Sequence, residues 1–257
     1  GGFVSFPVVV AAKLGKVKVI LHESDLTPGL ANKMLLPFCD SILSTFKDTE
    51  KYIHGNKVSF IGAIVRENIT VGNKTKGQNI CGFKNKRPIL LIMGGSLGAQ
   101  SINAAIRNNL NQLLRFFNII HICGMNNVDV KSNFEGYKQY EFVKDELPDI
   151  LAACDMVISR AGSNAIFEFL QLEKPMLLIP LPKTKSRGDQ FYNAEYFKSK
   201  GYCDILYEDR LDSDDFINKV LDIYSKSHEY EDHMKNQTEI GSIKDIISVI
   251  YNMTKTI

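Results

Sequence analysis

The stretch that decides the fold is Ile89-Leu-Leu-Ile-Met-Gly-Gly-Ser-Leu-Gly-Ala-Gln100. Its first five residues are apolar, which is typical of a strand covered on both faces. The glycines at 94, 95 and 98 allow a tight turn, and Ser96 can cap the helix that follows. A helix start with free N–H groups after such a turn favours phosphate binding. The spacing matches neither the P-loop nor the dinucleotide fingerprint, so the stretch alone leaves open a phosphate site and an ordinary turn between a strand and a helix.

The same pattern recurs along the chain. Strand-like runs lie at 17–21, 40–46, 58–61, 89–93, 117–122, 138–143, 155–159, 175–179 and 202–207. Helical patterns separate them, which predicts an α/β fold with parallel sheets covered by helices on both faces. The six strands from residue 88 onward are enough for a complete doubly wound domain, whereas the three earlier strands are too few.

Four segments follow from this pattern. We expect residues 1–62 to be the remnant of an N-terminal domain and residues 88–240 to be a complete C-terminal domain. Residues 63–87 combine glycine, asparagine and lysine without periodicity, which is typical of an interdomain linker. An amphipathic helix over 241–257 ends the chain, and we expect it to pack back on the N-terminal domain. Because the chain opens with Gly-Gly-Phe-Val and no Met, we expect an N-terminally truncated protein.

Composition excludes several classes of protein. The chain has 257 residues, 44% of them hydrophobic, and a net charge of +2, so charge gives no general argument for a nucleic-acid partner. It has no apolar run long enough to span a bilayer as a helix. Its five cysteines are scattered and never spaced as C-x-x-C, so we interpret them as reduced thiols and not as disulfides or a zinc site. No cluster of His, Asp, Glu and Cys in the sequence indicates a metal.

A second strand, glycine turn and helix start lies at Val157–Glu168. Either Ser163 or Asn164 can cap this helix. Glu168 lies four residues after Asn164, on the same helix face. A carboxylate there could accept two hydrogen bonds from a vicinal diol such as a ribose, or it could merely favour the positive end of the helix dipole. The residues alone leave both interpretations open.

Other polar residues follow predicted strands, where ligands bind in open parallel sheets. His22 follows one such strand and is the only histidine that we consider for catalysis. Arg66 follows another strand, and a lone arginine at that position is more often a solvated surface residue. Asp189 begins a predicted helix and could be no more than its N-cap.

Seven motifs in one order resemble glycosyltransferase family 28, the bacterial N-acetylglucosaminyltransferases of peptidoglycan synthesis. They are Gly1-Gly-Phe-Val-Ser-x-Pro, Leu21-His-Glu-Ser, Pro28-Gly-Leu-Ala-Asn-Lys33, Gly62-x-x-Val-Arg66, Met93-Gly-Gly-Ser-x-Gly-Ala99, Ser159-Arg-Ala-Gly-Ser-Asn-Ala165 with Glu168, and Asp189-Gln190. The version present here is similar to that of Gram-positive bacteria of the Firmicute type. The resemblance covers essentially the whole chain.

The resemblance implies the GT-B fold, with two doubly wound Rossmann-like domains of which the N-terminal one is incomplete here. It implies a hexosyltransferase that moves N-acetylglucosamine from UDP-N-acetylglucosamine to lipid I, forming lipid II, with inversion and without a metal or cofactor. The implied location is the cytoplasmic face of the cell membrane, as a peripheral protein. The implied partners are UDP-N-acetylglucosamine, lipid I and other cell-wall synthesis proteins, with no nucleic acid.

The resemblance also implies roles for single residues. For the diphosphate these are Arg66, Gly94, Gly95 and Ser96; for the uracil, Phe142 and Val143; for the nucleotide, Gly162, Ser163, Asn164 and Ala165; for the ribose, Glu168; for the sugar, Asp189 and Gln190; and for the acceptor side, His22 and Asp25. His22 and Glu23 are expected near the cleft. The general base is expected in an N-terminal glycine-rich loop upstream of Gly1, so we expect the 257-residue chain alone to be inactive.

Two other functions remain open from the sequence. The first is a related GT-B transferase with another lipid acceptor, such as diacylglycerol, because the donor half would look much the same. The second is a non-catalytic nucleotide-binding domain whose glycine turns hold a dinucleotide or only shape the fold. Binding of UDP-N-acetylglucosamine against NADH separates a transferase from a dinucleotide-binding domain.

Overall fold

The structure, a computed structural model, describes residues 2, 4–95, 98–212 and 215–255. The chain forms two compact units. One contains residues 1–65 and 237–257, and the other contains residues 66–236. The predicted α/β class is confirmed, because parallel strands alternate with helices in both units.

The first unit is built on a parallel sheet of three described strands in the order β1-β2-β3. Its elements are α1 (Ser5–Leu14), β1 (Ile20–Glu23), α2 (Leu30–Leu35), β2 (Ser41–Ser44) and β3 (Val58–Phe60), with 3-10 turns at Leu36–Phe38 and Lys47–Tyr52. Ile42 and Leu35 are fully buried at the centre of its small core. The register aligns Glu23 with Ser44, so the carboxyl ends of β1 and β2 lie side by side.

Two crossing segments attach the end of the chain to the first unit. The Ala63 N–H donates to the Glu239 carbonyl at 2.8 Å, and the Gly241 N–H donates to the Ala63 carbonyl at 2.9 Å. A β-carbon on Gly241 would lie 1.7 Å from the Ile61 carbonyl oxygen, so only glycine permits this approach. The last described helix begins at Ser242, whose side chain and backbone form a capping box with Asp245.

The second unit is a six-stranded parallel sheet in the order β6-β5-β4-β7-β8-β9. Its strands are β4 (Ile89–Met93), β5 (Asn118–Ile122), β6 (Tyr137–Tyr140), β7 (Met156–Ser159), β8 (Met176–Leu178) and β9 (Cys203–Ile205). Its helices are α3 (Lys74–Cys81), α4 (Gln100–Asn108), α5 (Leu110–Leu113), α6 (Leu147–Ala153), α7 (Ser163–Gln171), α8 (Asp189–Ser199), α9 (Asp215–Ser225) and α10 (Ser227–Lys235), and α11 (Ile243–Thr254) belongs to the first unit.

This strand order places a switch point between β4 and β7. From β4 the chain moves outward through β5 to β6, and from β7 it moves the other way through β8 to β9. In doubly wound sheets the crevice at this point, beyond the carboxyl ends of the strands, is where ligands bind. The stretches that the sequence singled out follow these two strands, so the fold brings the two glycine turns together.

The apolar core lies on both faces of the sheet. Leu90, Ile92, Ile158 and Leu177 are fully buried on the central strands. Full burial of one such side chain contributes about 1.5–3 kcal/mol. These strands therefore provide a rigid base for the loops at their carboxyl ends.

Residues 63–87 do not form the irregular linker that the composition suggested. They contain a 3-10 turn at Glu67–Val71 and the helix α3, and the segment from 66 belongs to the second unit. A β-carbon on Gly77 would lie 1.9 Å from the Asp149 carbonyl oxygen. The glycine pattern therefore reflects close packing of α3 on α6, which composition alone cannot distinguish from a flexible loop.

The helical segment that the sequence predicts between β4 and β5 is divided into two helices. Asn109 has φ −105° and ψ 9°, which ends α4 and begins α5. Its side-chain amide donates to the Ala105 carbonyl at 2.9 Å. Asparagine competes for backbone groups in this way, which is why it is unfavourable inside helices.

Candidate functional site

A cleft of about 540 Å³ lies at the switch point of the second unit. The described residues that line it are Gly94, Gly95, Gly98, Ala99, Gln100, Ser101, Ser159, Arg160, Gly162, Ala165, Leu181, Lys185, Gln190 and Glu208. They come from the loops after β4, β7, β8 and β9. The cleft is therefore built from the strand ends at which the sequence predicted a ligand.

The turn after β4 is held by glycine at two positions. Gly95 and Gly98 have φ angles of 93° and 75°, which favour glycine. A β-carbon on Gly98 would lie 2.0 Å from the Cys123 carbonyl oxygen, so the turn rests directly on the end of β5. Ser96, predicted to contact the diphosphate, lies outside the described residues.

The turn after β7 leads directly into α7. Its N-cap is Gly162, and no side chain among the described residues makes a capping hydrogen bond there, so the predicted cap by Ser163 or Asn164 is wrong. A helix start without a side-chain cap leaves its first N–H groups for a ligand. Together with the positive end of the helix dipole, these groups favour an anion.

Arg66 and Glu168 contact each other at one side of the second unit. Arg66 Nε donates to Glu168 Oε1 at 2.8 Å, and Arg66 Nη2 lies 2.7 Å from the same oxygen. The Glu168 side chain is 13% exposed and that of Arg66 is 59% exposed. Both contacts use the Oε1 atom of Glu168.

A buried charged cluster forms one wall of the cleft, and the sequence analysis did not find it. Arg160 Nη1 donates to the Ile179 carbonyl at 3.1 Å, and Arg160 Nη2 donates to Ser101 Oγ at 2.9 Å. Arg160 Nη2 also lies 3.3 Å from Glu208 Oε1, and Lys185 Nζ lies 3.8 Å from that oxygen. Arg160 therefore ties three of the cleft loops together.

Glu208 is held in its charged form by this cluster. Burial by itself would raise the pKa of the carboxyl, but the hydrogen bond from Ser101 and the charges of Arg160 and Lys185 outweigh it, and the pKa is lowered. Among the described lining residues the charged groups are Arg160, Lys185 and Glu208, so the cleft carries one positive charge in excess. That excess suits an anionic ligand.

The loop after β8 brings Gln190 to the cleft. The Leu181 N–H donates to Gln190 Oε1 at 3.1 Å, so its amide is held at the cleft wall. Asp189 is the first residue of α8 and lies 3.6 Å from Arg187 Nη2. The helix start at Asp189 was predicted from the sequence. The hydrogen bond between Leu181 and Gln190 was not, because it depends on the conformation of the loop between them.

Comparison with known proteins gives the family. The sequence model of the glycosyltransferase family 28 C-terminal domain matches residues 89–250, and that of the family's N-terminal domain matches residues 1–44. The chain belongs to glycosyltransferase family 28.

Curated relatives in this family are close. The chain is 50% identical, over 256 residues, to the UDP-N-acetylglucosamine--N-acetylmuramyl-(pentapeptide) pyrophosphoryl-undecaprenol N-acetylglucosamine transferase of Clostridium botulinum strain Alaska E43, covering 99% of this chain and 72% of that protein. It is 49% identical to the protein of the same name from Clostridium tetani strain Massachusetts, covering 97% of this chain and 70% of that protein.

Solved structures agree on the fold. The crystal structure of Acinetobacter baumannii MurG aligns with a TM-score of 0.75 at 22% identity, covering 98% of this chain and 72% of that one. A UDP-GlcNAc 2-epimerase from Neisseria meningitidis, bound to UDP-GlcNAc, aligns with a TM-score of 0.66 at 16% identity, covering 96% of this chain and 72% of that one. Together with family membership, these neighbours support the GT-B fold.

The residues that the family 28 resemblance assigns to the nucleotide do not all line one cleft. Gly94, Gly95, Gly162, Ala165 and Gln190 do. Ser163 and Asn164 open α7 beside them. Arg66 and Glu168 form their own ion pair and are not among the described residues that line the cleft.

Phe142 and Val143 follow β6, two strands away from β4. Phe142 is 57% exposed, whereas Val143 is 8% exposed and belongs to the core. Neither lines the cleft. An exposed aromatic ring after a strand is available for stacking on a base, so the uracil role assigned by the family 28 resemblance stays a prediction for Phe142.

The acceptor-side residues that the family 28 resemblance names lie in the first unit, in β1 and in the loop that follows it. Glu23 is 5% exposed, and its carboxylate accepts from the Asp25 N–H at 3.2 Å, the Gly29 N–H at 2.8 Å and Asn32 Nδ2 at 2.8 Å. These contacts commit Glu23 to holding the loop over 25–29. His22 is exposed at the same strand, and its Nε2 lies 3.2 Å from Thr45 Oγ1. Desolvation lowers the pKa of His22 against the opposing charge of Glu23, which favours the neutral ring.

No group of three or more His, Cys, Asp or Glu side chains among the described residues is placed to hold a metal ion. No helix in the described part of the chain is long and apolar enough to cross a membrane.

Proposed function

We propose that this protein catalyses the transfer of N-acetylglucosamine from UDP-N-acetylglucosamine to the muramoyl sugar of lipid I, forming lipid II in peptidoglycan synthesis. The observation that carries this proposal is identity of about 50% over 99% of the chain to transferases named for that reaction. The cleft at the switch point, with its two glycine turns, supports the second unit as the donor-binding half. The reaction inverts the anomeric centre and uses no metal or other cofactor.

The chemistry requires stabilisation of a leaving group. Breaking the anomeric bond leaves negative charge on the UDP diphosphate, and oriented N–H groups and helix dipoles can offset it. The start of α7 and the turn after β4 supply such groups in one cleft. One charge-assisted hydrogen bond to the diphosphate is worth about 1.5–3 kcal/mol.

Glu168 is the group that we assign to the ribose. Its Oε1 is held by Arg66, which leaves Oε2 to accept from a vicinal diol. Arg66 orients the carboxylate through direct contact. The diphosphate contact that the family 28 resemblance implies for Arg66 stays a prediction.

The first unit is assigned to the acceptor side. His22 lies in β1 and Asp25 lies on the loop after it, which Glu23 holds in place. We propose that lipid I is reached at the cytoplasmic face of the cell membrane by a peripheral protein. None of these residues is assigned as the general base.

The donor half of the proposal is tested by calorimetry with the 257-residue chain. UDP-N-acetylglucosamine and UDP are expected to bind, and NADH is not. Addition of EDTA is expected to leave the affinity for UDP unchanged, because no metal takes part. Binding of NADH without binding of UDP would contradict the proposal and favour a dinucleotide-binding domain.

The acceptor half is tested by transfer of radiolabelled N-acetylglucosamine from the donor. The protein is incubated in parallel with vesicles that contain lipid I and with vesicles that contain diacylglycerol. Label is expected in lipid II alone. Label in diacylglycerol would move the protein to a transferase of another lipid acceptor.

A further inference from the structure

A chain of three buried side chains, which ends at a backbone carbonyl, runs beneath the turn after β4. Asn103, on α4, is 2% exposed, and His121, on β5, is fully buried. His121 Nε2 lies 2.9 Å from Asn103 Oδ1, and His121 Nδ1 lies 2.8 Å from the Tyr137 hydroxyl. Asn103 Nδ2 donates to the Cys123 carbonyl at 2.9 Å. We name this hydrogen-bonded series, from Tyr137 to the Cys123 carbonyl, the buried relay.

The geometry fixes the direction of every proton in the buried relay. Because the Asn103 amide nitrogen donates to a carbonyl, its amide oxygen must face His121 and accept. Nε2 of His121 therefore carries the hydrogen, and Nδ1 is the acceptor. The Tyr137 hydroxyl then donates to Nδ1, so each polar atom has the partner that it needs.

The buried relay ends at the carbonyl that supports the glycine turn. Gly98 approaches the Cys123 carbonyl so closely that a β-carbon would lie 2.0 Å from its oxygen. The same carbonyl is held by Asn103, which lies one helical turn beyond the start of α4. The position of the turn therefore depends on where the buried relay holds this carbonyl.

We propose that Asn103 is a positioning residue for the donor diphosphate, acting through the Cys123 carbonyl on the turn after β4. The proposal rests on the donor site proposed above. Loss of the Asn103 amide frees the carbonyl, and the turn that rests on it loses its fixed place. The contacts to the diphosphate then weaken, whereas contacts to the nucleoside, which other loops provide, keep their geometry.

The test compares the affinities of UDP and uridine, measured by calorimetry, in the wild type and in Asn103→Ala. The affinity for UDP is expected to fall about tenfold, which corresponds to the loss of about one charge-assisted hydrogen bond, and the affinity for uridine to stay within about twofold. Asn103→Asp should behave like alanine, because a carboxylate keeps the shape but cannot donate to the carbonyl. Asn109→Ala is the matched control, since Asn109 lies at the end of the same helix and its side-chain amide donates to the local Ala105 carbonyl.

The outcomes separate the possible failures. If UDP and uridine weaken in parallel, or if neither changes, Asn103 has a structural role only and the proposal is overturned. If the wild-type protein does not bind UDP more tightly than uridine, both this proposal and the proposed donor site are contradicted. Should both Asn103 variants fail to fold, Tyr137→Phe removes only the far end of the buried relay, and about a threefold loss of UDP affinity with uridine unchanged is expected.

Discussion

Substitution of Gly98 by alanine tests the construction of the donor cleft most directly. The backbone φ of Gly98 is 75°, a left-handed conformation that costs about 1–2 kcal/mol for a residue with a β-carbon. The new β-carbon would also lie 2.0 Å from the Cys123 carbonyl oxygen, where forced overpacking costs about 1–3 kcal/mol. Reduced freedom of the unfolded chain offsets about 0.4–1 kcal/mol of this. We expect a net loss of about 3 kcal/mol in the free energy of unfolding.

Two other glycines of the same cleft serve as matched controls. Gly95 has φ 93° but open space around a β-carbon, so Gly95→Ala is expected to lose only about 1 kcal/mol, from backbone strain. Gly162 has φ −73° and open space, so Gly162→Ala is expected to be neutral or stabilising by about 0.5 kcal/mol. The three variants therefore separate the clash, the strain and the chain entropy.

The assay is urea unfolding followed by far-UV circular dichroism, because the chain has no tryptophan to report by fluorescence. UDP affinity is measured on the same samples. Gly98→Ala is expected to unfold at the lowest urea concentration of the three and to bind UDP most weakly. A Gly98→Ala protein as stable as Gly95→Ala would refute the reasoning, because it would mean that the carbonyl of Cys123 does not confine the turn.

Three further outcomes are expected. Glu168→Ala should weaken UDP binding by about 1–3 kcal/mol in calorimetry through lost charged hydrogen bonds, whereas Glu173→Ala, exposed beyond the end of the same helix, should not change it. Burial lowers the pKa of His121 to about 3, so below about pH 6.5 this histidine is protonated in the unfolded chain but stays neutral in the folded chain. The free energy of unfolding should therefore fall by about 2 kcal/mol between pH 7 and pH 5. This contribution to the pH dependence should be absent in His121→Gln. Gly77→Ala should cost about 2–3 kcal/mol in urea unfolding because of the close approach to α6, whereas the exposed Gln78→Ala should stay within about 0.5 kcal/mol.

Local patterns determined most of the fold. The apolar run at Ile89–Met93 became β4 at the predicted residues, and the helical pattern at Ser163–Gln171 became α7. These elements are set by side-chain periodicity, which is a property of neighbouring residues. The positions of the two glycine turns followed, because turns lie between periodic segments.

Composition gave the wrong prediction of an irregular linker at residues 63–87, because glycine occurs both in flexible loops and in close contacts between helices. Gly72 and Gly77 indicated a linker, yet they allow the segment to pack on the Pro148 and Asp149 carbonyls. A flexible loop and a close helix contact both require a residue without a β-carbon. Only the neighbour across the contact distinguishes them, and that neighbour lies more than seventy residues away along the chain.

What the sequence by itself determined is the order of the strands and helices, the two glycine turns and the family 28 motifs, because each depends on residues close together in the chain. The tertiary structure alone decided that Arg160 ties Ser101 to Glu208, that Arg66 holds Glu168, and that Asn103 reaches the Cys123 carbonyl. These contacts join residues from about 20 to 102 positions apart. They exist because the tertiary fold brings separate elements together, as where the switch in strand order sets β4 beside β7 and so brings Arg160 to Ser101, and no local periodicity encodes such neighbourhoods.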